Sequence, residues 1–245
     1  MRALLPVVQD DVDVHAWYAR NWLDKGGVRV NFVSSADGAA TADGLSGGLQ
    51  TPGDNAVFAA LRDLADVVLV GAGTARAEGY RGIQLSERRR ALRHDLGLAE
   101  DPPVAVVTRS LRLDPAAELF SRGSQRTIVI TTESADQLAR RQLEEVADVV
   151  IAGDVDVDLR AAHAALVERG HIRILCEGGP MLFGDLARSA VVDELCLSLT
   201  PVLAGPGARR IIAGEMWSND PHPLVLDSVL EEDGALFLRY LVRSG

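Results

Sequence analysis

The sequence predicts an α/β fold: a three-layer α/β/α domain on a mixed, mostly parallel sheet that ends in an antiparallel hairpin. Short aliphatic runs alternate with segments of helical length, the order that βαβ units require. Several runs, such as Val67-Val68-Leu69-Val70 and Ile172-Arg173-Ile174-Leu175-Cys176, are nearly continuous rather than alternating. That is the pattern of strands buried on both faces. Near the end, residues 224–230 and 236–242 flank an acidic turn with Gly234, which reads as a hairpin.

In order along the chain, residues 1–27 read as a leader with a short helix over 14–24, ending at Gly26-Gly27. Residues 28–245 form the domain, since no low-complexity linker divides them. Val30-Asn31-Phe32-Val33 is the first strand. A helix is expected over 54–64, with Asp54 as N-cap and Val57, Phe58, Leu61 and Leu64 on one face. The arginine-rich stretch 86–98 reads as a surface helix. Strands follow at Val104-Ala105-Val106-Val107, Thr127-Ile128-Val129-Ile130 and Asp148-Val149-Val150-Ile151. Helices over 134–145 and 157–169 are interleaved with them. After the strand at 172–176, Pro180 opens a helix running through 181–190, proline being well placed at a first helical position.

Composition narrows the function. A hydrophobic content of 47% suffices for a core, and at 4% aromatic residues that core is aliphatic. The net charge of −10 argues against a nucleic-acid partner, which demands a basic face. It leaves room for a phosphorylated ligand held by local arginines. No apolar run approaches the ~18 residues of a membrane span, and the apolar N-terminal stretch is too short for a signal peptide. A soluble, cytoplasmic protein is expected. Cys176 and Cys196 lie inside apolar runs and read as buried, reduced thiols. The five histidines are scattered without ligand spacing, so no metal site is expected. Asp193 and Glu194 read as turn residues facing solvent.

Three segments carry the chemistry. In Cys176-Glu177-Gly178-Gly179-Pro180 a strand meets two glycines and a helix start, which is either a tight turn or an anion cradle of backbone N–H groups. Val70-Gly71-Ala72-Gly73-Thr74 repeats the arrangement; Arg76 stands at the third glycine position of G-x-G-x-x-G, so no dinucleotide fingerprint is claimed. Ser34-Ser35-Ala36-Asp37-Gly38 leads from the first strand into a glycine-rich stretch, 37–53, that reads as a flap over a site. Alone, Asp37-Gly38 is a turn signal.

Taken together, Ser35-Ala36-Asp37-Gly38, Val70-Gly71-Ala72-Gly73-Thr74, Glu177-Gly178-Gly179-Pro180 and Val192-Asp193-Glu194-Leu195 resemble, in order and spacing, the pyrimidine reductases of riboflavin biosynthesis. That family's reductase domain has a dihydrofolate reductase-like fold. The resemblance covers about residues 28–242 and implies a homodimer using NADPH. It implies 5-amino-6-(5-phosphoribosylamino)uracil reductase activity, with hydride passing from nicotinamide C4 to ribosyl C1′. On this reading Gly71, Gly73, Thr74, Gly178 and Gly179 hold the cofactor. Thr108-Arg109-Ser110, a guanidinium between two hydroxyls at a strand end, suits its 2′-phosphate. Asp37 and Glu177 are the candidate catalytic groups and, with Ser35, contact substrate; a carboxyl in a dry pocket can carry a raised pKa and donate a proton.

The substrate side departs from the family pattern. Ala39 stands where a lysine is usual, Glu78 and Gly79-Tyr80 replace Asp and Asp/Asn-Pro, and Gln84-Leu85 fall where a phosphate arginine belongs. Arg81 is near but out of register, and Arg209-Arg210 read as solvated. Nothing matches the H-x-E and P-C-x-x-C of the deaminase domain often fused to these reductases. Two alternatives stay open: a pterin (dihydrofolate) reductase of the same fold, and an NADPH-binding protein without catalysis.

Overall fold

The computed structural model describes residues 1–215 and 221–242. Strand β1 (Arg2–Leu5) is followed by two short helices, α1 (Val14–Ala19) and α2 (Trp22–Lys25), and by the long strand β2 (Gly27–Ser35). Helix α3 (Pro52–Leu64) leads into β3 (Val67–Gly71), α4 (Ala72–Ala77) and α5 (Glu87–Asp95). Then β4 (Val104–Val107), α6 (Glu118–Ser121), β5 (Thr127–Thr131), α7 (Gln137–Glu144), β6 (Ala147–Ile151) and α8 (Leu159–Glu168) alternate. The chain continues through β7 (Arg173–Cys176), α9 (Pro180–Arg188) and β8 (Glu194–Thr200) to the hairpin of β9 (Leu224–Glu232) and β10 (Ala235–Val242).

The ten strands of the described residues share one sheet, in the order β1-β9-β10-β8-β2-β7-β3-β4-β5-β6. From β8 to β6 neighbouring strands are parallel, and β10, β9 and β1 add antiparallel to the β8 edge. The α/β class and the mixed, mostly parallel sheet with its terminal hairpin are as the sequence predicts. Side chains alternate between two cores. On one face Trp17, Trp22, Leu61, Leu64 and Phe237 pack around α1, α2 and α3. On the other, Leu166, Ile174, Phe183 and Leu186 pack under α8 and α9.

Residues 1–27 are not a detached leader. β1 is the edge strand, with Arg2 opposite Glu231 and Ala3 opposite Leu230. The expected helix is broken in two at Asn21, whose φ is +67°. Trp17, Tyr18 and Trp22 all sink into the core from the two pieces. Glu194 also differs from expectation. It does not face solvent but lies 2.6 Å from the fully buried guanidinium of Arg29, whose charge requires a partner.

Helix α3 begins earlier than predicted, and the shift matters. Thr51 is its N-cap, accepting from the Asp54 amide at 3.1 Å, and Pro52 takes the first helical position. Asp54 is therefore inside the first turn, with its side chain free for another task. The far end of α3 is closed by Arg93 of α5, which is fully buried. Its Nη1 donates to the carbonyls of Arg62, Asp63 and Ala65 at 3.2, 2.9 and 2.7 Å, and its Nε donates to Ala99 at 2.6 Å. Arg93→Ala is expected to strand these carbonyls and cost about 3 kcal/mol. Thermal unfolding should then show a Tm lower by roughly 6–12 °C for a chain of this size.

Candidate active site

A cleft of about 1270 Å³ opens where the carboxyl ends of β2, β3, β7 and β8 face α3. That edge of a parallel sheet is where ligands of open α/β folds bind. One wall is the stripe Asp54, Phe58 and Arg62, spaced i, i+4, i+8 along α3. The expected flap forms another wall through Ala40, Thr41, Ala42, Asp43 and Gly44. It is anchored by buried Leu49, whose carbonyl accepts from the Thr200 hydroxyl at 2.5 Å.

The two glycine turns meet at the floor. The Gly71 amide donates to the Gly178 carbonyl at 2.8 Å, and Gly71, Gly73, Thr74 and Gly179 line the cleft. Gly178 has a φ of +87°, and a Cβ there would stand 2.7 Å from the Phe32 ring. At Gly179 the Thr74 hydroxyl occupies the space a Cβ would need. Backbone is therefore exposed where a side chain would otherwise intrude. Helix α9 starts here with no side-chain cap on its first turn, so its leading N–H groups are free for an anion. The arrangement fits the diphosphate of a dinucleotide.

Glu177 closes the floor beside them. Arg62 forks it, with Nε to Oε1 at 2.7 Å and Nη2 to Oε2 at 2.8 Å, and the Tyr80 hydroxyl donates to Oε2 at 2.6 Å. Its side chain is 1% exposed. All three hydrogen bonds run into the carboxylate, which is thereby anchored as an acceptor. Burial works against charge on Arg62, but the adjacent carboxylate outweighs it and raises the guanidinium pKa. Burial, then the Glu177 charge, raises Tyr80 well above an ordinary phenol and keeps it a donor. The guanidinium also lies 4.4 Å from the Phe58 ring centroid, a cation–π contact that fixes its plane.

Ser35 and Asp37 lie outside the cleft. The fully buried Ser35 hydroxyl donates to Asp37 and accepts from the Ala39 amide at 2.9 Å. Asp37 is exposed and accepts from the Ala204 and Gly205 amides at 3.1 and 2.8 Å. The Ser35 hydroxyl first, then these two amides, hold its pKa down to about 2. The raised pKa expected for a proton donor is reversed, because every neighbour stabilises the anion. Asp37 ties two loops.

The phosphate cluster is likewise not assembled as expected. Thr108 is buried and its hydroxyl accepts from the Leu111 amide at 3.1 Å. Arg109 and Ser110 are exposed, Arg109 pairs with Asp156 at 2.7 Å, and none of the three lines the cleft. Cys176 and Cys196 are buried, their thiols pushed up to about 12 by burial. Among the described residues no group of three His, Cys, Asp or Glu is placed to hold a metal ion.

The structure also recruits residues that sequence reasoning left aside: Asn31, Asp54, Arg62 and Tyr80 inside, and Arg81, Arg122 and Arg209 on the rim. Arg81 and Arg122 share Glu118, at 2.6 and 3.6 Å. Asp43 and Glu78 line the same cleft, so with Glu118 these three arginines face three carboxylates.

Arg62→Met is expected to leave Glu177 buried without its counter-charge, at about 3–5 kcal/mol. Thermal unfolding of Arg62→Met, Glu177→Gln and the double variant should show the double losing less than the sum of the singles. Asp37 gives a pH signature. With a pKa of about 2 against an ordinary 3.8, its loop tie is complete above about pH 4 and is lost as pH falls through 2. An NMR titration of its carboxyl carbon should find the midpoint near 2; an ordinary midpoint would remove the tie.

Comparison with known proteins places this cleft in context. The RibD C-terminal domain family matches residues 27–231. Over 179 residues the chain is 28% identical to the 2,5-diamino-6-ribosylamino-4(3H)-pyrimidinone 5′-phosphate reductase of Archaeoglobus fulgidus, covering 73% of this chain and 81% of that protein. A solved pyrimidine reductase-like protein from Corynebacterium diphtheriae superposes with a TM-score of 0.85 at 27% identity, covering 96% of this chain and 100% of the other. The diaminohydroxyphosphoribosylaminopyrimidine deaminase/5-amino-6-(5-phosphoribosylamino)uracil reductase of Thermotoga maritima shares the fold, with a TM-score of 0.70 at 18% identity over 90% of this chain and 57% of that one.

Proposed function

The chain belongs to the RibD C-terminal domain family, the pyrimidine reductases of riboflavin biosynthesis, and we propose that it is an NADPH-dependent reductase of a phosphorylated ribosylaminopyrimidine. The observation that carries this is the meeting of the two glycine turns and the uncapped α9 N-terminus beside Glu177 in one cleft. Reduced nicotinamide, when bound, supplies a hydride that adds to ribosyl C1′ as the C1′–ring-oxygen bond opens and that oxygen gains a proton.

The protein's part is positioning. Gly71, Gly73, Thr74, Gly178, Gly179 and the first turn of α9 hold the diphosphate. Glu177, fixed by Arg62 and Tyr80, offers its remaining lone pairs to an N–H of the carboxamide or the substrate. Asp37 acts through the loop it ties, not on the reacting atoms. Arg81, Arg122 and Arg209 meet the substrate phosphate and stand in for the family's missing lysine and arginine. Arg109 serves the 2′-phosphate: its bridge to Asp156 joins two groups 69% and 74% exposed, and such a pair, worth about 0–1 kcal/mol, exchanges readily for a stronger anion.

The partner surfaces follow the same reading. No helix among the described residues is long and apolar enough to cross a membrane. The homodimer would cover the outer sheet face, where Leu224 and Leu226 of β9 are 41% and 40% exposed.

NADPH oxidation followed with a phosphoribosylaminopyrimidine and with dihydrofolate tests the proposal. Turnover with the pyrimidine and little with dihydrofolate is expected. Turnover with dihydrofolate alone would establish the pterin reading, and NADPH binding without turnover the inactive one. Arg109→Ala should weaken NADPH at least tenfold while sparing NADH; equal losses would take Arg109 out of the cofactor site.

A further inference from the structure

The flap over the cleft is held unevenly. Ala40 and Leu49 are buried at its two ends, but no residue from 41 to 48 is buried between them. Ala42 and Leu45 exchange backbone hydrogen bonds of 3.0 and 3.1 Å. They close a tight turn at Asp43 and Gly44, whose φ values are +50° and +83°. A segment that buries no side chain is kept in place by hydrogen bonds alone, and such segments open most readily. Both ends are tied to the β8 side of the cleft: the Ala40 amide donates to the Arg209 carbonyl, and the Leu49 carbonyl accepts from the Thr200 hydroxyl. Among the described residues a single hydrogen bond ties the flap to the opposite, β3–α4 side. The Ser46 amide donates to Oε1 of Glu78 at 3.0 Å.

Glu78 is placed for this bond by the helix before it. It follows directly on α4, and its own amide donates to the Thr74 carbonyl at 2.9 Å. The carboxylate is therefore fixed relative to the glycine turn at the cleft floor. Asp43, Gly44, Ser46 and Glu78 all line the cleft, so the bond runs from one wall to the other. Its reach depends on side-chain length, and Glu78 stands where the family pattern has an aspartate. Removing one methylene would withdraw the carboxylate by about 1.5 Å, out of reach of an amide now at 3.0 Å.

We infer that Glu78 is a positioning residue that latches the flap. With the Ser46 amide on its carboxylate the cleft is covered; with that bond broken, ligands pass in and out. Glu78 acts through the flap and not on the reacting atoms, and the covered state shields the transferring hydride from water. Only the hydride rests on the reductase reading; the latch itself requires no more than a ligand in the cleft.

Hydrogen exchange of the Ser46 amide reads the latch directly. Glu78→Ala removes one charge-assisted bond and should speed that exchange about tenfold or more. Glu78→Gln, whose carboxamide oxygen still accepts, should stay within about threefold of the wild type, whereas Glu78→Asp should behave like Glu78→Ala. NADPH release, followed by stopped-flow fluorescence, should quicken about fivefold in Glu78→Ala and Glu78→Asp, and single-turnover oxidation of NADPH by the pyrimidine should slow about tenfold. Glu78→Gln should recover most of both rates. Thermal unfolding shows that the variants are folded, and a side chain that serves stability alone would lower Tm without separating Gln from Asp. Exchange that sorts the variants in this way supports the latch even if NADPH is neither bound nor oxidised, in which case the reductase reading alone fails. Ser46 exchange or NADPH release unchanged in folded Glu78→Ala, or rescue by Asp as full as by Gln, overturns the inference and leaves the reductase reading standing.

Discussion

The fork from Arg62 to Glu177 joins the C-terminal end of the cleft's helical wall to the end of β7, across 115 residues of sequence. A carboxylate 1% exposed is costly to bury alone, so the helix must present its guanidinium in this place and orientation. Much of the surrounding structure serves that need. The Phe58 and Tyr80 rings lie 4.4 and 5.8 Å from the guanidinium, and Thr51 and Arg93 fix the two ends of the helix that carries it. With α3 so placed, Asp54 two turns earlier is brought over β2 and β8. The ion pair is thus a ruler: it sets how far the helix stands from the sheet, and that distance is the width of the cleft.

The glycine turns depend on the same placement from the opposite side. Gly178 is held by Gly71 and walled by Phe32, and Phe32 stacks at 5.4 Å on Phe183 of α9. The backbone of the turn is packed from behind and open in front. On the proposed function, a phosphate-sized anion would meet N–H groups already aligned, with little ordering left to be done on binding.

The sequence disclosed what depends on neighbours in the chain. Continuous aliphatic runs marked β3, β4, β5 and β7, because burial on both faces leaves no other composition. The glycines between strand and helix at 71–73 and 178–179 marked the floor of the cleft for the same local reason. What stayed hidden was tertiary. Tyr80 is 97 residues from the Glu177 it touches, and nothing in Gly79-Tyr80 announces it. Ser35 and Asp37 looked chemical, but hydrogen bonds within the turn and from the loop after β8 absorb both groups. Asp54 was misplaced by a local ambiguity between two good caps. Pro52 decides it, since a proline at the first helical position makes Thr51 the residue before it. Residues 1–27 were misjudged because pairing of β1 with β9 depends on an edge more than two hundred residues away.

The bonds around Asp37 have a mechanical consequence. The Ala36 amide donates to the Val202 carbonyl at 2.9 Å and the Ala40 amide to the Arg209 carbonyl at 2.7 Å, while Ala204 and Gly205 donate to the Asp37 carboxylate. The base of the flap and the loop bearing Arg209 are therefore laced into a single strap, although they are far apart in sequence. Neither can swing alone without breaking several contacts at once, so any force on the Arg209 loop is also a force on the flap.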